Sequence, residues 1–462
     1  MSENGLPRGP SAPTLVQTLR WLVAPIELME SCRRRYGDAF SLTFLGFGSP
    51  MVLLSDPEVL RELYSGRPAA AGARNGAASG EHTLPPGRTV SLLPIMGAGS
   101  LLLLEGAEHL ERRRLMLPPF HGERLRAYET AIREIAVAEV DRWRGGESFA
   151  VHERMRAITL EAILRVVFGV TDEGRLTRLR ELVPQLMADT SSLSLSFRVL
   201  LAQRLGRASP LEHLGGLREE IDLLLFAEIA ERRALGVERD DVLSLLLAAR
   251  FEDGSAIGDR ELRDHLVTLL LAGHETTATA LAWTFELLLR NRGALETLLA
   301  SLEEADDSYL RAVISESLRL RPVVPLAGRR LGRDLDAGGL HLPAGTDVTP
   351  AIWLTHTRPD LYPAPYEFRP ERFLDSPPPP FAWIPFGGGV RRCLGAAFAE
   401  LEMRIVIETV LSRVELSGAS RSEERIARRN VTFAPRHGVR VRVARRRAGS
   451  RGRARSAIGP AA

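Results

Sequence analysis

This sequence predicts a mainly α fold with a small β part, built as a single large domain. Three observations carry that expectation. Apolar residues recur at helical spacing from about residue 106 to 320, and again directly after Cys393. Short β-prone runs bounded by Gly and Pro appear near 40–54 and 329–351. No internal repeat and no linker divides the body of the 462-residue chain, and its 45% apolar content suits a globular protein with a large core.

The elements follow in order. The start, "MSENGLPRGPSAPT", is polar and rich in Pro and Gly, so no secretory signal is expected. Residues 1–29 read as an irregular segment and the start of a first helix. "LVQTLRWLVAPIELM" is expected to pack that helix on the core, in preference to a weak surface attachment. "FSLTFLGFGSPMVLLSDPEVLRELY" gives two short strands around a Gly turn, then a helix beginning near Pro57. Residues 66–100 are broken by Gly, Pro and Ala and read as irregular. A long apolar helix is expected over about 257–291, roughly 50 Å at 1.5 Å per residue. A Pro-rich loop leads to Cys393, and a last helix precedes the tail. The domain is expected to run over 30–440, with 441–462 an Arg-rich, disordered tail.

Charge and cysteine content exclude several classes. The formal charge is +3, yet eight arginines and no acid lie from Arg440 onward, leaving the rest of the chain at −5. A solvated tail explains this better than a nucleic-acid site, and no nucleic-acid partner is expected. Two cysteines, Cys32 and Cys393, cannot hold an iron–sulfur cluster or a Cys-based zinc site, and their scarcity fits a reducing cytoplasm. Apolar runs such as "LVTLLLAG" are too short to span a bilayer, so no transmembrane segment is expected.

"FGGGVRRCLG" then raises the question of chemistry. Helical periodicity starts just after Cys393, so its sulfur sits near a helix N-terminus, where free N–H groups and the dipole favour a thiolate. Gly387, Gly388 and Gly389 let the backbone approach something flat and bulky. Phe386-x-x-Gly389-x-Arg391-x-Cys393-x-Gly395 resembles the haem-binding loop of the cytochrome P450 superfamily, with every defining position present. The resemblance implies a cytochrome P450 fold, haem b (iron protoporphyrin IX) as cofactor, and Cys393 as the iron ligand.

Three more motifs appear in that family's order. In "ISESLRLRP", Glu316 and Arg319 share one helical face among apolar Val313, Ile314 and Leu318. The resemblance adds Arg372 of "FRPERF" as third member of a structural network. "LLLAGHETTATA" puts an acid beside a hydroxyl inside an apolar helix, which suggests proton delivery. It matches the family's motif over the haem through Ala272, Gly273, Glu275 and Thr276. His274-Glu275 lacks the second His of a zinc-protease helix, because Ala278 stands there, so His274 is expected to be packed or solvated. His109 and Arg113, four apart, match the family's propionate pair, as do Arg391 and Arg329, the latter preferred over Arg330 by its spacing from Pro325.

The resemblance runs from roughly 30 to 440 and implies a haem-thiolate monooxygenase that acts as a monomer on O2. Having no flavin or dinucleotide fingerprint, the chain is expected to take electrons from a ferredoxin or flavodoxin with its reductase, docking near Arg391 and Arg392. Apolar walls are expected from 86–104 and from Val323, Val324 and Leu326, so the substrate is an apolar small molecule: a fatty acid, terpenoid or polyketide-like compound. The alternatives are a peroxide-using peroxygenase, which usually lacks the acid–threonine pair, and a haem sensor, which would not need one.

Overall fold

The computed structural model describes residues 5–45, 49–65, 95–190, 211–236, 239–374, 376–420, 422–429 and 431–447. Helices α1 (Thr14–Val23) and α2 (Pro25–Tyr36) part at Pro25, which starts a helix well but cannot continue one. Strands β1 (Ala39–Leu42) and β2 (Met51–Leu54) pair antiparallel with Phe40 opposite Leu53, as the two runs around the Gly turn predict. Helix α3 (Pro57–Ser65) follows. The helical body comprises α4 (Gly106–Met116), α5 (Glu123–Val140), α6 (Val151–Ala162), α7 (Glu173–Thr190), α8 (Leu211–Leu235), α9 (Val242–Ala248), α10 (Asp259–Arg290), α11 (Arg292–Glu303) and α12 (Ser308–Leu320), interrupted by strand β3 (Ser148–Ala150). Strands β4 (Arg329–Arg330), β5 (Leu335–Ala337), β6 (Leu340–Leu342) and β7 (Asp347–Pro350) precede the short α13 (Ile352–His356). The sheet order β1-β2-β7-β4 joins the two β-prone regions, β7 lying parallel to β2.

Helix α10 is the axis of the molecule. It packs against α6, α12 and α14 (Ala396–Arg413), and it begins with acids, Asp259 and Glu261, and ends with Arg290, as the helix dipole favours. Apolar side chains around it form two cores. Leu262, Leu266, Val267 and Leu270 belong to one, and Ala278, Leu281, Phe285 and Leu288 to the other. Between them Ala272 is exposed and Gly273 and Thr276 are half-open, in a helix otherwise buried through its middle. A helix buried on all sides has no reason to open there unless something else fills the space. At Gly273 an added Cβ would come within 2.9 Å of Ile163 Cδ1, so Gly here permits close helix contact. Ile163 opens a π turn, Ile163–Val167, that ends α6.

Two expectations need correction. The chain after α14 is not a tail: β8 (Val414–Gly418), β9 (Ile426–Arg429), β10 (Thr432–Pro435) and β11 (Arg440–Arg446) follow. Residues 441–446 therefore belong to the fold, β11 lying between β3 and β8. "RVRV" alternates, with Val441 and Val443 fully buried while the arginines face out, a period-two pattern that charge counting hides. The remaining tail, and 66–94 of the irregular segment, lie outside the described residues. Second, the expected packing of α1 on the core holds only in part: Trp21 is half-buried against the core around Phe44 and Gln17 is buried, while Leu15, Val16, Leu19 and Val23 stay outside. Among the described residues no helix is long and apolar enough to cross a membrane.

Candidate active site

The cysteine loop closes on itself before α14 begins. Cys393 N–H donates to Phe386 O at 2.9 Å, and Arg392 N–H to Gly389 O at 3.1 Å. Gly387 and Gly389 have φ of +68° and +64°, which favour Gly. At Gly388 an added Cβ would fall 2.6 Å from the Tyr64 ring, so the loop lies flat on α3. Helix α14 starts at Ala396 with Gly395 before it, and the Gly395 N–H bonds the Cys393 sulfur. Cys393 is exposed, with protein crowded around its sulfur. That crowding pushes the thiol up, while Gly395, Arg113 and Arg392 pull it down. A metal ion bound to it would deprotonate it outright.

Nitrogen donors gather around this loop. His109 is buried and its Nδ1 has no partner among the described residues. Burial, then Arg391, Arg113 and Arg329, drive its pKa down to about 3. Arg329 is buried, bonds only the Gly328 carbonyl at 2.8 Å, and is lowered by that burial. Arg330 instead holds Asp347 through two bonds, 2.7 and 3.0 Å, so it is already committed to a carboxylate. Arg391 Nη2 donates to Leu104 O at 2.5 Å. Burying Arg329 with no carboxylate partner among the described residues is costly. A flat group carrying two carboxylates, set against a cysteine, removes that cost, and the donors fit haem b.

Sequence reasoning missed Tyr64, the last buried residue of α3. Its hydroxyl has no partner among the described residues, and burial raises it to about 12 against the pull of Arg329. It therefore adds a neutral donor to the same cationic corner.

On α10, Glu275 and Thr276 diverge. Thr276 Oγ1 donates to Ala272 O at 2.6 Å, and Thr277 Oγ1 to Gly273 O at 3.0 Å, hydroxyls bonding back to the preceding turn as expected. Glu275 turns toward α6. Arg156 Nε lies 2.8 Å from its Oε2, off the hydrogen-bond direction, and His152 Nε2 lies 3.7 Å from Oε1. Burial raises the Glu275 carboxyl, and Arg156 and Arg429 only partly oppose it. The acid and hydroxyl thus share a turn without bonding each other. His274 is packed: Nδ1 bonds Leu270 O at 2.8 Å, and burial drives its pKa to about 4.

The Glu316 network assembles from three segments. Arg319 Nε and Nη2 grip Glu316 at 2.6 and 2.8 Å, and Arg372 Nε reaches Glu316 Oε1 at 3.1 Å. The sequence did not reveal His356. Its Nδ1 donates to Arg319 O at 3.2 Å, and its Nε2 accepts from Ile384 N–H at 2.9 Å, so it is neutral and ties the network to the cysteine loop. Of the expected pocket residues, Val323 and Leu326 are buried in the core, and Val324 is half-open. Residues 86–94 of the other wall lie outside the described residues.

Helix α14 carries a further buried acid, Glu402, whose Oε1 has no partner among the described residues. Burial raises its pKa to about 8. A folded pKa above the unfolded value means full stability below about 4.5, loss as pH rises, and none left to lose past about 8. The slope is up to about 1.4 kcal/mol per pH unit. Glu402→Gln should abolish that decline in denaturant titrations run from pH 6 to 9. Parallel curves for the two proteins would show Glu402 already charged at pH 6.

Comparison with known proteins accords with this geometry. The family profile described as Cytochrome P450 matches residues 7–438. The chain is 42% identical to the putative cytochrome P450 135B1 of Mycobacterium tuberculosis, over 96% of this chain and 92% of that one. It is 37% identical to the putative cytochrome P450 138 of the same organism, over 96% and 97%. Among solved structures it resembles the retinoic acid bound cyanobacterial CYP120A1, with TM-score 0.77, 24% identity and coverage of 95% and 99%. The cytochrome P450DA heme domain gives TM-score 0.78 at 23% identity, covering 96% and 98%.

Proposed function

Because the chain belongs to the cytochrome P450 family, it is a haem-thiolate monooxygenase, and we propose that it inserts one oxygen atom of O2 into a fatty acid, terpenoid or polyketide-like substrate. Electrons come from a separate ferredoxin or flavodoxin with its reductase, since two cysteines cannot hold an iron–sulfur cluster of the chain's own. Haem b supplies the O2 chemistry when bound. Cys393 would hold its iron, and His109, Arg113, Arg329 and Arg391 would hold its propionates, with charge-assisted bonds that fix orientation. Val324 and the 95–104 segment supply apolar wall.

The observation that carries the reading is the opening in α10, where Thr276 faces space and Glu275, raised by burial, stands next to it. An acid whose pKa moves toward neutrality gives and takes protons more readily at physiological pH. Arg156 and His152 hold it on the α6 side, so its proton leaves by rotation of the side chain or through water, which the Thr276 hydroxyl is placed to orient.

Thr276→Ala tests this. The hydroxyl bonds only backbone carbonyls of its own helix, and Ala is the better helix former, so haem content and substrate binding should survive. Product formed per electron pair, measured with a surrogate redox partner, should fall about tenfold or more, the electrons appearing as hydrogen peroxide or water. Equal coupling in wild type and variant would sink the role given to Thr276. Peroxide-driven turnover without a redox partner would favour the peroxygenase reading.

A further inference from the structure

Helix α1 is mounted inside out. Its polar residues face the protein: Gln17 Nε2 donates to Ala12 O at 2.8 Å, Gln17 Oε1 accepts from Thr43 N–H at 2.9 Å, and Thr18 Oγ1 accepts from Leu45 N–H at 2.9 Å. Trp21 packs half-buried against Phe44 and the core, but most of the helix's apolar residues face away. Leu15, Val16, Leu19 and Val23 are 54, 41, 52 and 84% exposed, and Leu45 beside Thr18 is 55% exposed. Among the described residues eleven large apolar side chains are exposed, and five of them lie in this one place. A surface helix ordinarily does the opposite, and apolar side chains gathered on the outside mark an interaction site.

Charge says what covers it. "TLVQTLRWLV" contains no acid, and the next acid along the chain is Glu27 on α2. Arg20 lies between Val16 and Val23 on the helix, is exposed, and bonds only Ser31 Oγ at 3.4 Å. The Arg428 guanidinium stands 6.0 Å from the ring of half-buried Trp21. Neither arginine meets a carboxylate among the described residues. Protruding leucines and valines, flanked by arginines that meet no carboxylate among the described residues, are the features of a helix lying in the headgroup layer.

We propose that α1, with Leu45 and the Arg20–Arg428 rim, is a docking surface for an anionic lipid bilayer. Leucine and valine side chains enter the acyl boundary while the arginines meet lipid phosphates. The enzyme then works beside the phase in which apolar compounds dissolve. This surface stands on α1 alone and does not depend on the substrate class proposed above.

The test is flotation of the full-length holoprotein with vesicles of phosphatidylglycerol and phosphatidylcholine, against pure phosphatidylcholine. Wild type should float with the anionic vesicles and be released by salt. Leu15→Ser/Leu19→Ser should weaken binding by about tenfold or more, with an unchanged carbon monoxide spectrum and melting temperature, since both side chains are exposed. Arg20→Gln should weaken it by about fivefold. The double variant leaves the charge of the C-terminal tail intact, so equal flotation of wild type and double variant assigns binding to the tail and overturns the proposal. Failure of wild type to float overturns it too. So does a wild-type dimer in size-exclusion chromatography that the double variant renders monomeric.

Discussion

Cys393→Ser is expected to abolish the red-shifted band that carbon monoxide gives with the reduced, thiolate-ligated haem. Serine preserves the loop, because the bond that closes it runs from the backbone N–H of residue 393 to Phe386 O at 2.9 Å. What it loses is the soft thiolate, which the Gly395 N–H, Arg113 and Arg392 help to form. An alcohol in the same place stays protonated far more stubbornly and gives a weaker iron ligand, so retained haem should show the spectrum of a different axial ligand. Cys32→Ala is the control. Cys32 lies in the core formed by Leu28, Phe40, Leu42 and Trp353, where burial pushes its thiol up and keeps it inert. That variant should keep the wild-type spectrum with a modest loss of stability. A thiolate band surviving in Cys393→Ser would falsify the ligand assignment.

The chemistry of this chain was legible where it is written in contiguous residues. "FGGGVRRC" and "AGHETT" are short motifs whose residue types have few uses in such order, and α10 is one unbroken helix with apolar residues at helical spacing. What escaped was contact across sequence. Arg156 and His152 reach Glu275 from more than a hundred residues away, and nothing in "HERMR" marks them out. His356 bridges α12 to the cysteine loop from a segment that reads as ordinary. Tyr64 looked like one more apolar residue of α3 until its unpartnered hydroxyl met Arg329. The β strands after α14 were hidden for another reason: their outward positions are arginines, so composition spoke of a tail while the alternation of Val441 and Val443 spoke of a strand. Helix α1 misled in the opposite direction. Its apolar content implied a buried face, but only Trp21 packs half-buried against Phe44 and the core, and three polar side chains, Thr14, Gln17 and Thr18, fix its orientation through bonds to the loop around Thr43.

Glu316→Ala should cost about 3–5 kcal/mol of stability, enough for poor expression or loss of haem. Glu316 and Arg319 are both fully buried. Oε1 of Glu316 accepts from Arg319 Nη2, Arg372 Nε and the Arg369 N–H, and Oε2 from Arg319 Nε. Alanine removes all four acceptor contacts at once and leaves the Arg319 cation in the interior. Its remaining partners are the carbonyls of His356, Pro365 and Glu367 and the ring of Tyr362, 4.9 Å away. Carbonyl dipoles offset part of a charge but do not neutralise it. The damage should also travel. Arg319 O holds His356, His356 holds the Ile384 N–H, and Ile384 O holds the Gly387 N–H, which is already in the cysteine loop. Haem content should therefore fall together with the unfolding midpoint. Because Glu316→Ala can fail to fold, Glu316→Gln supplies a milder step: it keeps the shape and one acceptor oxygen and loses only the charge, so it should fall between wild type and alanine. Replacing both partners by apolar residues, Glu316→Leu with Arg319→Met, removes the stranded cation and should recover part of the loss. If the double variant is as unstable as the two single losses added together, the cost lies in packing and not in an uncompensated charge. If Glu316→Ala keeps both its haem and its midpoint, the pair contributes no more than a surface ion pair does.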